Sequence, residues 1–312
     1  MKNQILQMGP LLPETMRDLE ATYTVHRYDL ASDKAQLLSE IASTVSAIAT
    51  RGDYALGENV ISSLPKLKMI ASSGAGFDGI DVQAAKARCI TITNTPGIVS
   101  ECVADLAMTL VLTTIRRTLA HDRFVRSGEW RQRKPVLTEK VWGERLGIIG
   151  LGGIGKAIAR RAEAFRMPIA YYGRHRQDEV DYPFFRDPAE LAHWARVLVV
   201  AVPGGRSTAG LVSREVIDAL GVDGVLVNVS RGSVVDEPYL VDALTSRRLA
   251  GAGLDVFANE PNVPEQLFEL DNVVLQPHIG SGSTYTRVAM GQCLLDNLSA
   301  FFSGQPAVSP VP

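Results

Sequence analysis

Short apolar runs alternate with longer polar, Ala-rich stretches along almost the whole chain, and this alternation most restricts the fold. Residues 4–8, 24–28, 46–50, 67–72 and 91–94 read as strands. Between them, 14–20, 34–41 and 82–87 read as helices. Strands spaced by helices imply βαβ units and a parallel sheet. A second series follows, with strands at 146–149, 169–172, 197–202, 225–229, 252–256 and 273–275. Its helices are expected at 154–165, 188–194, 214–220 and 238–249. One long helix over 100–127 joins the two series, with Ser100 as N-cap, Glu101 complementing the helix dipole and Gly128 at its end. A last helix over 283–302 does not extend the second sheet.

Composition agrees with two α/β domains. The chain has 312 residues, 46% apolar, enough for a large core. Its net charge of −2 leaves no global footprint for nucleic acid or an acidic membrane surface. No stretch approaches the ~18 consecutive apolar residues of a membrane helix. Residues 1–16 do not read as a signal peptide. Cys89, Cys102 and Cys293 are too few and scattered for a disulfide scaffold or a zinc site, so reduced thiols in a cytoplasmic protein are expected.

The second series opens on Gly150-Leu151-Gly152-Gly153-Ile154-Gly155, a G-x-G-x-x-G pattern. It directly follows a strand and begins a helix, the context this pattern requires. Gly150 permits the turn, Gly152 lets backbone approach a pyrophosphate, and Gly155 lets helix pack on strand. The helix N-terminus offers unpaired N–H groups to the phosphates. An NAD enzyme places an acid about 20 residues on, for the ribose 2′-hydroxyl. Here the second strand ends in Gly173-Arg174-His175-Arg176, with no acid before Asp178. Arg174 and Arg176 suit a 2′-phosphate, so the cofactor reading is NADPH/NADP+, with NADH weaker. The bland alternative is that both arginines only solvate a loop.

Three segments follow predicted strands: 229–232, 255–261 and 276–281. In an open α/β sheet ligands bind beyond the carboxyl ends of strands, so Arg231, Glu260 and His278 can converge. Their chemistry suits reduction of a small 2-oxo acid, which needs a hydride at C2 and a proton on the oxygen. His278 is the candidate general acid. Glu260 would orient the imidazole and favour its charged form, and Arg231 would clamp the carboxylate. His26, His121, His175 and His193 read instead as surface or helix residues. Taken singly, Glu260 could be a turn acid and Arg231 a surface arginine.

The motifs Asn228 to Asp236, Gly251 to Pro261 and Pro277 to Ser281, with the Gly74-Ala75-Gly76-Phe77-Asp78 and Asn94-Thr95-Pro96-Gly97 loops, closely resemble those of the D-isomer-specific 2-hydroxyacid dehydrogenases. Within that family the chain looks most like glyoxylate/hydroxypyruvate reductases and related hydroxyphenylpyruvate reductases. The resemblance implies two doubly wound parallel-sheet domains, a Rossmann cofactor domain inserted in a flavodoxin-like substrate domain. The substrate-binding domain would comprise 1–98 and 280–312, and the NADP-binding domain 99–279. It implies Arg231, Glu260 and His278 as the catalytic set. It implies cofactor contacts from Leu151 to Gly155, Gly173, Arg174, His175, Arg176, Val202, Pro203, Thr208, Val229, Ser230, Asp255 and Gly280. Substrate contacts would come from Gly74, Ala75, Gly76, Arg231, His278 and Ser281, with the Ala75 and Gly76 amides on the carboxylate and Arg287 nearby. A homodimer through the cofactor domain is implied, with a loop around 135–142 reaching the partner. Val136 and Leu137 replace bulky aromatics found there in some relatives, which bears on substrate size.

The expected function is NADPH-dependent reduction of glyoxylate or hydroxypyruvate to a D-2-hydroxy acid. Phenylpyruvate-type, hydroxyphenylpyruvate or 2-ketogluconate reduction is the alternative within the class, since few residues separate such pockets. From another class comes a dinucleotide-sensing, non-enzymatic binding protein like the C-terminal-binding-protein corepressors, against which the lack of a disordered or basic tail argues.

Overall fold

The computed structural model describes residues 2–311; Met1 and Pro312, the end residues of the expected substrate-binding segments, lie outside the described residues. The chain divides into two compact units, residues 1–99 with 281–312, and residues 100–280.

The first unit holds five strands, β1 (Gln4–Met8), β2 (Thr24–Arg27), β3 (Ala47–Arg51), β4 (Met69–Ser73) and β5 (Thr91–Thr93). They are all parallel, in the order β2-β1-β3-β4-β5, the flavodoxin-like order. Helices α1 (Pro13–Thr22), α2 (Lys34–Ile41), α3 (Glu58–Ser63) and α4 (Val82–Ala87) connect them. Local chemistry sets several starts. Pro13 occupies the first turn of α1, and the Asp33 and Asp81 carboxylates accept from the Gln36 and Ala84 amides to cap α2 and α4. The C-terminal helix, Thr284–Phe302, is capped by Ser283, which accepts from the Thr286 amide. Its Leu294 and Leu298 share a core with Ile5, Leu19 and Ala71. Gly291 makes this possible, because a Cβ there would lie 2.1 Å from Thr15 Oγ1.

The second unit begins with α5 (Ser100–Ile115) and α6 (Thr118–Arg126). These replace the single helix expected over 100–127. Arg117 adopts φ 46°, the left-handed region, and ends α5 there. The run Thr113-Thr114-Ile115 before it is β-branched and weakens helix propagation. Seven parallel strands follow: β6 (Leu146–Ile149), β7 (Ile169–Tyr172), β8 (Phe184–Phe185), β9 (Val197–Val200), β10 (Val225–Asn228), β11 (Gly251–Leu254) and β12 (Val273–Leu275). Helices α7 (Gly153–Ala164), α8 (Pro188–Trp194), α9 (Arg214–Leu220) and α10 (Glu237–Thr245) lie between them. Six strands were expected; the seventh, β8, is two residues long and pairs at the sheet edge with β7. So short a run carries no periodicity to read; α3 is likewise not expected from the sequence. The order β12-β11-β10-β9-β6-β7-β8 reverses direction at β6, which has β7 on one side and β9 on the other. That reversal creates the crevice where doubly wound sheets bind ligands.

Candidate active site

The glycine turn leaves β6 at this switch point. Gly150 sits at φ 98°, and a Cβ there would lie 2.7 Å from Val202 Cγ1, so turn and packing both exclude a side chain. At Gly155 a Cβ would lie 2.1 Å from the Gly150 carbonyl oxygen, so the helix could not close on the strand. Gly152 is different. It has φ −78° and ψ −160°, and an added Cβ would meet nothing of the chain within 4 Å. Neither strain nor internal packing asks for glycine at 152. A bare backbone there fits a group pressed from outside against the N-terminus of α7, as a dinucleotide pyrophosphate would be. Gly153 faces the Ser100 hydroxyl, Leu151 is buried and Ile154 is half-buried.

Beyond β7, Gly173 is half-buried, while Arg174, His175 and Arg176 are exposed. Neither arginine joins a salt bridge among the described residues. Gln177 then turns back: its amide N–H donates to the Tyr171 hydroxyl (2.7 Å) and its Nε2 to the Leu151 carbonyl (2.8 Å). After β9, Val202 packs on the glycine turn and Pro203 is exposed, its carbonyl accepting from the Thr208 hydroxyl at 2.7 Å. The Thr208 O–H thus donates within its own loop, leaving its oxygen able to accept.

After β10, Val229 and Ser230 are buried. The Asn228 side chain ties this loop, accepting from the Ser230 amide and donating to the Arg231 carbonyl, both at 3.0 Å. Gly232 must lack a side chain, because a Cβ would lie 1.9 Å from the Phe257 carbonyl carbon. Arg231 Nη1 donates to the Ser230 carbonyl at 2.8 Å.

His278 and Glu260 meet here: Nδ1 lies 2.7 Å from Oε2. The other carboxylate oxygen accepts from the Phe257 amide at 3.0 Å, and Glu237 steadies the same loop by accepting from the Ala258 amide at 2.8 Å. Burial pushes the Glu260 carboxyl up. The hydrogen bonds from His278 and Phe257, with the charges of His278 and Arg231, outweigh it and hold the group below the usual carboxylate range. Arg231, Glu260 and His278 therefore form one electrostatic cluster at the carboxyl edge of the sheet. Both side chains of the His–Glu pair stay about a third exposed, 31% and 34%.

His278 stands at φ 52°, which for a non-glycine residue costs on the order of 1–3 kcal/mol. Asp255 over-determines that conformation. Its carbonyl accepts from the His278 amide (2.8 Å), Oδ1 from the Ile279 amide (2.7 Å) and Oδ2 from the Gly280 amide (2.8 Å). Burial raises the Asp255 carboxyl above its ordinary range, against the two amides that lower it. Gly280 is buried with no room for a Cβ, which would lie 2.9 Å from Asp255 Oδ2. The sequence marks Asp255 as a cofactor contact; here its visible work is to hold the histidine loop.

Gly74, Ala75, Gly76 and Ser281 belong to the other unit and are half-buried there. The Gly74 carbonyl accepts from the Thr95 amide (2.9 Å) and the Ala75 carbonyl from Asn94 Nδ2 (2.7 Å). Because trans peptides are planar, the Ala75 and Gly76 N–H groups point the opposite way, as a pair of donors. Gly52 lets this loop seat itself, since a Cβ would lie 1.7 Å from the Gly76 carbonyl oxygen. Neither Asn94 nor Gly52 is among the expected site residues; Asn94 stands in the Asn94-Thr95-Pro96-Gly97 loop that carries the resemblance, while Gly52 has no such signal.

The sequence model of the D-isomer-specific 2-hydroxyacid dehydrogenase NAD-binding domain matches residues 108–280. The chain is 44% identical over 307 residues to glyoxylate/hydroxypyruvate reductase A of Arabidopsis thaliana, covering 98% of each. It is 42% identical to hydroxyphenylpyruvate reductase of Plectranthus scutellarioides, again over 98% of each. Among solved structures, an NADPH-dependent glyoxylate/hydroxypyruvate reductase of Sinorhizobium meliloti, complexed with NADP and malonate, superposes with a TM-score of 0.93 at 40% identity, covering 100% of this chain and 97% of that one. The chain belongs to the D-isomer-specific 2-hydroxyacid dehydrogenases. Its similarities fall in the glyoxylate/hydroxypyruvate reductase branch, with hydroxyphenylpyruvate reductase as a near relative.

Proposed function

We propose that this protein reduces small 2-oxo acids, glyoxylate and hydroxypyruvate foremost, to D-2-hydroxy acids with NADPH. The 2.7 Å His278–Glu260 pair beside Arg231 carries the reading. Reduction needs one hydride at C2 and one proton on the C2 oxygen. When bound, the dihydronicotinamide supplies the hydride. With Nδ1–H donating to Glu260, Nε2 of a protonated His278 is the nitrogen left to give its proton to the developing alkoxide. Glu260 accepts from Nδ1 and so fixes the ring. Within the cofactor unit Arg231 takes the substrate carboxylate, which places C2 for transfer; within the other unit the Ala75 and Gly76 amides are the carboxylate donors.

Residues 150–155 and the N-terminus of α7 hold the pyrophosphate. Arg174 and Arg176 take the 2′-phosphate; their exposed guanidiniums, in no salt bridge among the described residues, and the lack of an acid at the end of β7 support NADPH over NADH. The protein works as a homodimer. Exposed apolar side chains gather in one segment of the cofactor unit, with Leu137 at 93%, Trp130 at 64%, Trp142 at 62% and Val136 at 59%, and a second copy would cover them. Cys89, Cys102 and Cys293 form no disulfide among the described residues, which suits a reducing, cytoplasmic compartment. No helix among the described residues is long and apolar enough to cross a membrane.

Initial rates with NADPH and NADH on glyoxylate, hydroxypyruvate, phenylpyruvate and 2-ketogluconate test the reading. Fastest NADPH oxidation with the two small acids is expected. No oxidation with any pair would overturn the enzyme assignment. Preference for phenylpyruvate or 2-ketogluconate would move the protein within its class, and preference for NADH would remove the role given to Arg174 and Arg176.

A further inference from the structure

We infer that Gln177 is a positioning residue for dinucleotide selectivity, locking the 2′-phosphate loop and the pyrophosphate turn into one cradle. The inference rests on the NADPH reading above. Two hydrogen bonds from one residue carry it. The Gln177 backbone is fixed to the hydroxyl of Tyr171, a side chain wholly inside the protein, at 2.7 Å. That bond sets the path of the loop carrying Arg174 and Arg176. The Gln177 side chain crosses to the Leu151 carbonyl at 2.8 Å. In a planar trans peptide the Leu151 C=O and the Gly152 N–H are antiparallel. Holding the carbonyl toward Gln177 therefore aims the Gly152 N–H away from Gln177, and a Cβ on Gly152 would meet nothing of the chain within 4 Å.

Two further observations set Gln177 apart from an ordinary loop glutamine. Its Oε1 is buried with no hydrogen-bond partner among the described residues. A glutamine free to turn would bring that oxygen to water, so the side chain is kept in place at a cost. A second tie runs parallel: Lys156 of α7 pairs with Glu179 at 2.8 Å, joining the same helix and the same loop. That pair is exposed and screened, worth little by itself, which leaves Gln177 as the directional link.

The test measures dissociation constants of NADP+, NAD+ and adenosine 2′,5′-bisphosphate for wild type, Gln177→Met, Tyr171→Phe, Arg174→Ala/Arg176→Ala and the combined triple variant. Apo melting temperatures are recorded alongside. Gln177→Met keeps the length and removes the donor. It should weaken NADP+ and the bisphosphate about 3- to 10-fold, the range of one net hydrogen bond, and NAD+ by less. The NADP+/NAD+ affinity ratio should therefore fall, with apo melting little changed. Tyr171→Phe should move the ratio in the same direction, and serves if the methionine variant does not fold. In the Arg174→Ala/Arg176→Ala background, Gln177→Met should have little further effect on the ratio, the non-additivity expected of one coupled unit. An unchanged ratio in both single variants, with wild type preferring NADP+, overturns the inference alone. A wild type without NADP+ preference overturns the NADPH reading beneath it.

Discussion

The proposed chemistry comes down to a few side chains whose neighbours leave them one role each. His278 has one ring nitrogen committed to Glu260 at 2.7 Å. Replacing His278 with Ala should lower kcat by about 10²- to 10⁴-fold, the usual range for a general acid. NADP+ binding should persist, because no cofactor-cradle contact is removed; stopped-flow rates and a binding titration check both. Glu260 gives a pH signature. Its carboxyl is held below the ordinary 4.5 in the folded chain. The folded state therefore binds that proton less readily than the unfolded chain. The resulting stabilisation is present above about 4.5 and is lost as pH falls through the folded value. Melting temperature should thus fall more steeply on acidification in wild type than in Glu260→Gln, and parallel curves would show that the carboxylate does not contribute. At this scale the sequence already singled out Arg231, Glu260 and His278, which the fold brings into one cluster. It could not show that Asp255 spends both carboxylate oxygens on the amides of Ile279 and Gly280. Such bonds join residues 24 and 25 positions apart and leave no local pattern.

Among elements, the glycine turn separates two reasons for having no side chain. At Gly155 an added Cβ would sit 2.1 Å from the Gly150 oxygen, a clash between α7 and the end of β6. Gly155→Ala should destabilise the cofactor unit by roughly 1–3 kcal/mol, as overpacking does, lowering the melting temperature of the free protein. At Gly152 the added Cβ meets nothing within 4 Å. Gly152→Ala should melt like wild type yet bind NADP+ and NAD+ more weakly. Calorimetry and titration of the pair would separate fold from cradle. In the other unit, Gly52→Ala should push the Gly76 carbonyl from its seat, 1.7 Å from the new Cβ. The expected result is a raised KM for the 2-oxo acid with NADP+ affinity unchanged. The turn glycines at 150–155 were legible because their context, strand then turn then helix, is local. Gly52 was not, since its constraint is a carbonyl in a loop more than twenty positions away.

At the scale of the molecule, the exposed segment around Leu137 carries the assembly prediction. Leu137→Asp with Trp130→Ala should lower the sedimentation coefficient from a dimer to a monomer value; a wild type already monomeric would remove the dimer from the proposal. The hydrophobic alternation sufficed to place two parallel sheets, because a strand buried between helices needs an apolar run and a surface helix needs a polar face. The same patterning said that residues 283–302 are helical without saying where the helix goes. Side-chain packing decided that: Leu294 and Leu298 complete the core around Ile5 and Ala71, and Gly291 allows the close approach to Thr15. Likewise the β-branched run before Arg117 was in plain view, but the left-handed residue that splits α5 from α6 was not. By itself, then, the sequence determined the kinds of elements, the dinucleotide turn and the candidate site residue types, all properties of short-range pattern and side-chain chemistry. The tertiary structure alone decided which carbonyls Gln177 and Asn94 hold, and so which way the Gly152 and Gly76 amides point, because those bonds join segments that only folding brings together.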